Sequence, residues 1–420
     1  MNINKTSSRI IRNFTHLLFS NVLILILPFI YYPYLIKTIG TENYGSVIYT
    51  QSIYLLLSII IQFGFSISAT KEVSLNRNNK YRLSTIFFSI ALIKLVLFLI
   101  ITIISLFVLF LISINTSIDT KLHLSCLIYL IGDLFFVNWF FQGIEKMFFV
   151  SLGTLIYKLS LLACVFIFIG KSNDYILYTL IFSLCYIIGN FSLFILSIIK
   201  FKLYTFTFQK SLFLNLITDS WQFFLSRLSS VFVERFNILL LGYSNEKQYV
   251  AFYDLAIKLV GIAQLPFNLF NQAFYPNATR EKNTKQVYNI IKLLSLLAIF
   301  GIILTFISAP YIISLYVGES MIQSASIINI LIIGILINVP SHFVGNCLLA
   351  PFGLSKEFKN SVVYSTLLYT PIVIALYLAN QLTVYTLSIA YIFYLIIILI
   401  YRVYIWKMYL KKNENQYLNL

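Results

Sequence analysis

Ten ionisable side chains fall inside the most apolar stretches of the chain: Lys94, Asp133, Lys158, Asp219, Arg227, Glu234, Arg235, Asp254, Lys258 and Lys292. In hydrocarbon such a charge costs roughly 2.5–3.5 kcal/mol on insertion scales, so each needs a partner, water or a task. Two chemistries fit these residue types. Lysine and arginine can hold an anion, and the planar arginine fork suits a phosphate through paired hydrogen bonds. A carboxylate at membrane depth can exchange a proton or a sodium ion. The densest group is RLSSVFVERF at 227–236. There Glu234 follows Arg227 by seven positions, on nearly the same helical face, and Arg235 stays close to it. Asp254 and Lys258 are spaced as neighbours one helical turn apart.

The elements that must position these groups are membrane helices. Of the 420 residues, 60% are hydrophobic and 10% charged, against about 45–50% and about 25% in soluble domains. The expected fold is an all-α integral membrane protein. A span needs about 20 mainly apolar residues. The pattern predicts twelve, over 14–36, 46–70, 83–112, 122–141, 149–169, 176–199, 217–241, 249–273, 287–309, 322–348, 361–380 and 383–405. At about 1.5 Å per residue, Lys94, Asp133 and Lys158 lie roughly 13–17 Å into their helices. Asp219 and Lys292 lie near the ends of theirs, where long side chains can reach the interface.

The formal charge of +16 sits largely in the short segments between apolar runs. With a cytoplasmic N-terminus, alternate segments carry 20 and 4 Lys or Arg residues. That bias places both termini in the cytoplasm and removes any need for a nucleic-acid partner. The first residues read as a basic lead-in to the first span, because the apolar run is long and lacks a small-residue cleavage site. Cys126, Cys164, Cys185 and Cys347 lie in apolar runs without zinc or disulfide spacing, and His16, His123 and His342 lack metal-ligand spacing. Gly170-Lys171-Ser172 ends like a phosphate loop, but Val165 stands where that pattern needs glycine. No catalytic group, metal or cofactor is expected.

Six predicted helices precede the basic segment at 200–210 and six follow it, suggesting lobes over 1–205 and 206–420. Both halves end their second helix on Ala-Thr-basic-Glu, at 69–72 and 278–281. Two parallel repeats around a central cavity are a plan for alternating access. In that frame two readings of the charges stand. Glu234, Arg235, Asp254 and Lys258 pair off and hold two helices together, or the cationic excess lines the cavity. Six cations against four carboxylates leave +2, and Lys94, Lys158 and Arg227 have the fewest obvious partners. On the second reading Lys94, Lys158, Arg227, Arg235 and Lys258 would hold an anionic head group such as a pyrophosphate. Asp133, Glu234 and Asp254 are then the candidates for ion coupling.

Five segments carry a family resemblance: LIKTIGTENYGSVIYTQSI (35–53), FGFSISATKEVSLNR (63–77), NWFFQGIEKM (138–147), RLSSVFVERFNILLLG with AFYDLAIKLVG (227–261), and LLAPFGLSKEFKNS (348–361). Through them the chain resembles the Wzx O-antigen flippases, in the polysaccharide-transport branch of the multidrug/oligosaccharidyl-lipid/polysaccharide (MOP) exporters. The resemblance implies two six-helix bundles around a cationic cavity. It implies movement of undecaprenyl-pyrophosphate-linked oligosaccharide repeat units to the periplasmic leaflet of a bacterial inner membrane, with ion-gradient coupling and no enzymatic step. Its partners would be that lipid-linked oligosaccharide, membrane lipid, and polysaccharide polymerase or assembly proteins. Three rivals are a drug or cation exporter, an O-antigen polymerase or ligase, and an assembly scaffold. The first would favour an acidic cavity. The second would carry a large periplasmic loop, and the outer segments here are short.

Overall fold

The computed structural model describes residues 26–115, 119–205, 207, 209–243 and 247–417, and no strand occurs among them. The basic lead-in and most of the first predicted helix lie outside the described residues; helix α1 is described over 26–39. The chain divides into two compact units, Met1–Val231 and Phe232–Leu420.

In the first unit a single non-helical residue, Gly40, separates α1 from α2 (Thr41–Gln62). Its φ of 85° is the left-handed region that glycine enters without a Cβ clash. The segment predicted as an outer loop is therefore mostly helix. α2 stops at Phe63 and Gly64, and α3 (Phe65–Leu75) continues the same span. Then come α4 (Lys80–Asn115) and a span in three pieces, α5 (Thr120–Leu127), α6 (Tyr129–Leu134) and α7 (Asn138–Gly143). α8 (Met147–Phe168) and α9 (Tyr175–Phe201) complete the set before α10 (Lys210–Tyr243), the helix in which the division falls. A core of Phe65, Phe87, Phe140, Phe141 and Trp139 ties α3, α4 and α7 together.

The turns of this unit gather at two ends. At one, Asn43 donates to the Ser172 carbonyl and the Tyr175 hydroxyl to Asp119. At the other, Arg77 pairs with Glu145 at 3.0 Å and Arg82 donates to Gln209. Lys146 and Lys200 lie over the rings of Phe201 and Phe149, each crossing to the other's helix. Most of the unit's loop cations collect at this second end.

The second unit holds α11 (Lys247–Glu281), α12 (Thr284–Tyr316), α13 (Gln323–Phe343), a π-helical turn (Val344–Leu349), α14 (Ser355–Leu378) and α15 (Val384–Tyr417). Pro340 lies one turn before the π-helical segment. A proline inside a helix removes one ladder hydrogen bond, and π turns occur where the ladder is interrupted.

Ten stretches of the described residues are long and apolar enough to cross a membrane. α10 is also 34 residues long but, carrying Asp219, Arg227, Glu234 and Arg235, is not among them. The spans of the units match in order: 35 and 35 residues, 35 and 33, 24 and 27, 22 and 24, 30 and 29. In the second pair, α4 and α12, only 11% of the most apolar window is buried in each. Phe107, Phe110, Phe300 and Ile307 point outward there, all more than 60% exposed. Such faces would aggregate in water and are solvated by lipid.

Candidate functional site

The first unit brings Lys94 and Asp133 to one break in a helix. The span predicted as continuous over 122–141 is interrupted at Ile128 and again at 135–137. Non-helical backbone at membrane depth survives only where protein or water satisfies its polar groups. Here the Phe136 carbonyl accepts from Lys94 Nζ at 2.9 Å and from Trp139 Nε1 at 3.2 Å. Lys94 is 2% exposed and its ammonium lies 5.7 Å from the Phe136 ring centre.

Asp133 is fully buried. Its Oδ1 accepts from Gln62 Nε2 at 2.8 Å and from the Tyr186 hydroxyl at 3.0 Å. Its Oδ2 is buried without a hydrogen-bond partner among the described residues. Tyr186 is held against Tyr129, with ring centres 4.2 Å apart. It also lies flat on Gly132, where an added Cβ would sit 2.3 Å from the ring. Lys158 is buried on α8, 4.6 Å over the Tyr157 ring, and that ring packs edge-on against Tyr186. Arg227 stands exposed on α10.

In the second unit, Asp254 and Lys258 form an ion pair of 2.6 Å along α11, with Asp254 the more buried. Arg235 is half-buried, and its Nε has no hydrogen-bond partner among the described residues. Glu234 is exposed and faces a cavity contained in this unit. The cavity encloses about 130 Å³. Tyr253, Gly261, Gln264, Asn338 and Tyr391 also line it. Behind it Asn237 donates to the Tyr253 hydroxyl at 2.9 Å and accepts from Tyr369 at 2.6 Å, which fixes the Tyr253 ring.

Three features escaped the sequence pattern. The partners of Asp133, Gln62 and Tyr186, look like ordinary residues of apolar helices. The cavity's tyrosines and amides belong to three separate helices, α11, α13 and α15. Arg402, five residues before Lys407 in a basic stretch of sequence, is buried to 5% exposure inside α15. It donates to the Ser341 carbonyl at 2.9 Å and to the Ser341 and Ser361 hydroxyls at 3.0 Å, and stacks over Phe358. The phosphate-loop fragment is also accounted for. The backbone N–H groups of Gly170 and Lys171 both donate to Asp174, so the turn is closed by its own carboxylate.

Residues 10–282, well over half of the chain, match the family described as polysaccharide biosynthesis protein. The chain belongs to that family. Over 327 residues it is 24% identical to a protein of Escherichia coli strain K12 named "Putative O-antigen transporter", covering 78% of this chain and 77% of that one. A protein of the same name from Shigella dysenteriae is 26% identical over 297 residues, or 70% and 74% of the two chains. Among solved structures, an inward-facing multidrug resistance MATE family transporter of the MOP superfamily superposes with a TM-score of 0.70. It has 12% identity, over 95% of this chain and 99% of that one. The lipid II flippase MurJ, in an inward closed conformation, gives 0.68 at 15% identity, over 94% and 87%. The fold of this polysaccharide biosynthesis protein is the all-helical MOP fold. Ten stretches of its described residues are able to cross a membrane, as in a multi-pass membrane protein.

Proposed function

We propose that this protein is a flippase. It moves undecaprenyl-pyrophosphate-linked O-antigen or polysaccharide repeat units from the cytoplasmic to the periplasmic leaflet by alternating access, coupled to an ion gradient. The observation that carries the reading is the similarity to the O-antigen transporters, which extends over more than two thirds of both chains. The solved lipid II flippase adds that the same fold is used on a lipid-linked substrate.

The cations then divide by their surroundings. Arg227 is exposed on α10, and a guanidinium suits a pyrophosphate. Arg235, Lys158 and Lys258 supply further positive charge, Lys258 while paired to Asp254. Lys94 belongs to the same cationic set and also secures the helix break at Phe136. Asp133 is the leading coupling carboxylate, ahead of Glu234 and Asp254. Its unpartnered Oδ2 is where a proton or a small cation would be taken up and released. Polymerase or assembly proteins would receive the unit on the far side.

Deletion of the gene in its host, with complementation from a plasmid, tests the reading. Wild type should restore surface polysaccharide. Arg227→Ala should restore roughly a tenth or less at normal membrane abundance, the loss expected when a charge-assisted contact to phosphate disappears. Full restoration by Arg227→Ala would remove Arg227 from the translocation path.

A further inference from the structure

We infer that the cavity inside the second unit is a sugar-binding subsite, which takes one ring of the repeat unit while the pyrophosphate is held elsewhere. The inference rests on the flippase reading above and assigns part of the substrate to a place. The cavity encloses about 130 Å³, less than the roughly 300–1,000 Å³ of sites that take a whole small ligand, which limits its occupant to a single ring.

Its lining has the chemistry of a sugar and lacks that of a phosphate. Among the described residues no Lys or Arg side chain lines it, so an anionic group there would be desolvated without compensation. An alkyl tail is equally unsuited, because it would cover the exposed Glu234 carboxylate with hydrocarbon and remove it from water. A pyranose offers apolar C–H faces and a rim of hydroxyls. The half-buried Tyr391 provides a flat apolar surface for one face, and Tyr253, 1% exposed, backs the site. Asn338 Nδ2 donates to Gln264 Oε1 at 3.4 Å, which leaves an amide donor on Gln264 and an acceptor on Asn338 for hydroxyls. Glu234 adds a carboxylate acceptor for a hydroxyl pair.

The site is also held in place and kept open. Asn237 and Tyr369 fix Tyr253 from behind. A Cβ added at Gly261 meets nothing within 4 Å, so glycine there preserves space where a side chain would fit. Gly261 has ordinary helical backbone, and no folding constraint accounts for its lack of a side chain.

The test uses the full-length protein in a deletion strain of its host. Gly261→Phe should cut surface polysaccharide roughly tenfold or more at unchanged membrane abundance, as expected for a blocked pocket. Gly301→Phe, in equally open space on α12, should behave as wild type. Occupancy is read with Gly261→Cys after Cys126, Cys164, Cys185 and Cys347 are replaced by Ala. Maleimide labelling in membranes carrying complete repeat units should be roughly fivefold slower than in membranes carrying only polyprenyl pyrophosphate with its first sugar, as mass action requires. If wild type fails to restore polysaccharide, the flippase reading falls. If wild type and Gly261→Phe both restore it, the reading stands and the subsite is wrong. Labelling that slows with added sodium chloride but ignores the repeat unit would make the cavity a cation site and overturn the sugar assignment.

Discussion

Arg402 shows how far a residue's setting departs from its sequence neighbourhood. It stands in YRVYIWKMYLKK, which reads as the start of a basic tail, yet it is buried among Ser341, Ser361 and Phe358. Its guanidinium joins α13, α14 and α15. Arg402→Ala should cost about 2–4 kcal/mol, from lost charge-assisted hydrogen bonds and the void left behind. Arg402→Lys should recover only part of that, because one ammonium cannot reproduce the fork. Thermal unfolding of the purified protein in detergent checks both, and equal stability of all three would remove the proposed staple. Asp133 calls for a different measurement. Asp133→Asn keeps an acceptor for Gln62 and Tyr186 but cannot gain or lose a proton. We expect normal abundance, transport lowered roughly tenfold, and a residual rate that no longer responds to an uncoupler, since the exchangeable charge is gone. A variant as uncoupler-sensitive as wild type would end the coupling role of Asp133. The sequence exposed these residues because a charge in an apolar run is conspicuous. It hid their partners, because a glutamine, a tyrosine or a freed carbonyl in such a run is not.

At the scale of elements, breaks in helices position chemistry. The interruption at 135–137 frees the carbonyl that holds Lys94. The interruption at Phe63–Gly64 lets α3 approach α10. A Cβ on Gly64 would sit 2.6 Å from Phe224 N and 2.7 Å from Ser220 O, both backbone atoms. The Ser68 and Ser220 hydroxyls meet at 2.6 Å beside it, and Phe63 stacks on Phe224. Gly64→Ala should therefore cost about 2–4 kcal/mol, from the clash and the left-handed φ of 74° together. Gly40→Ala, with nothing within 4 Å but a φ of 85° and ψ of 158° that essentially only glycine adopts, should cost about 1–3 kcal/mol from backbone strain alone. Melting temperatures of the two variants decide it, and equal losses would show that the close approach contributes nothing. The helices themselves were legible, because length and apolarity suffice to mark a span. Their interruptions were not, since 122–141 contains no proline and its breaks are stabilised by tertiary partners. Two motifs read separately, FGFSISATKEVS and NWFFQGIEKM, turn out to pack on each other, with Gly143 against Val73 and Thr70 donating to the Trp139 carbonyl.

At the scale of the whole molecule, the paired span lengths and the lipid-facing α4 and α12 give each unit the same plan. Ala-Thr-basic-Glu recurs once in each unit. Both copies end a span, with Ala69 and Ala278 buried and the polar residues at the tip. The fold class was readable because a membrane span is written in composition, which many substitutions preserve. The cavity of the second unit was not, because it is assembled from side chains far apart in sequence. The central claim concerns what crosses the membrane and is tested by locating the lipid-linked repeat unit. Spheroplasts of the deletion strain and of the complemented strain would be treated with a membrane-impermeant oxidant of sugar diols, and the protected lipid-linked fraction measured. The account predicts that repeat units accumulate in the deletion strain almost wholly protected, and become accessible when wild-type protein is restored. Equal accessibility in both strains, with repeat units made normally, would contradict it.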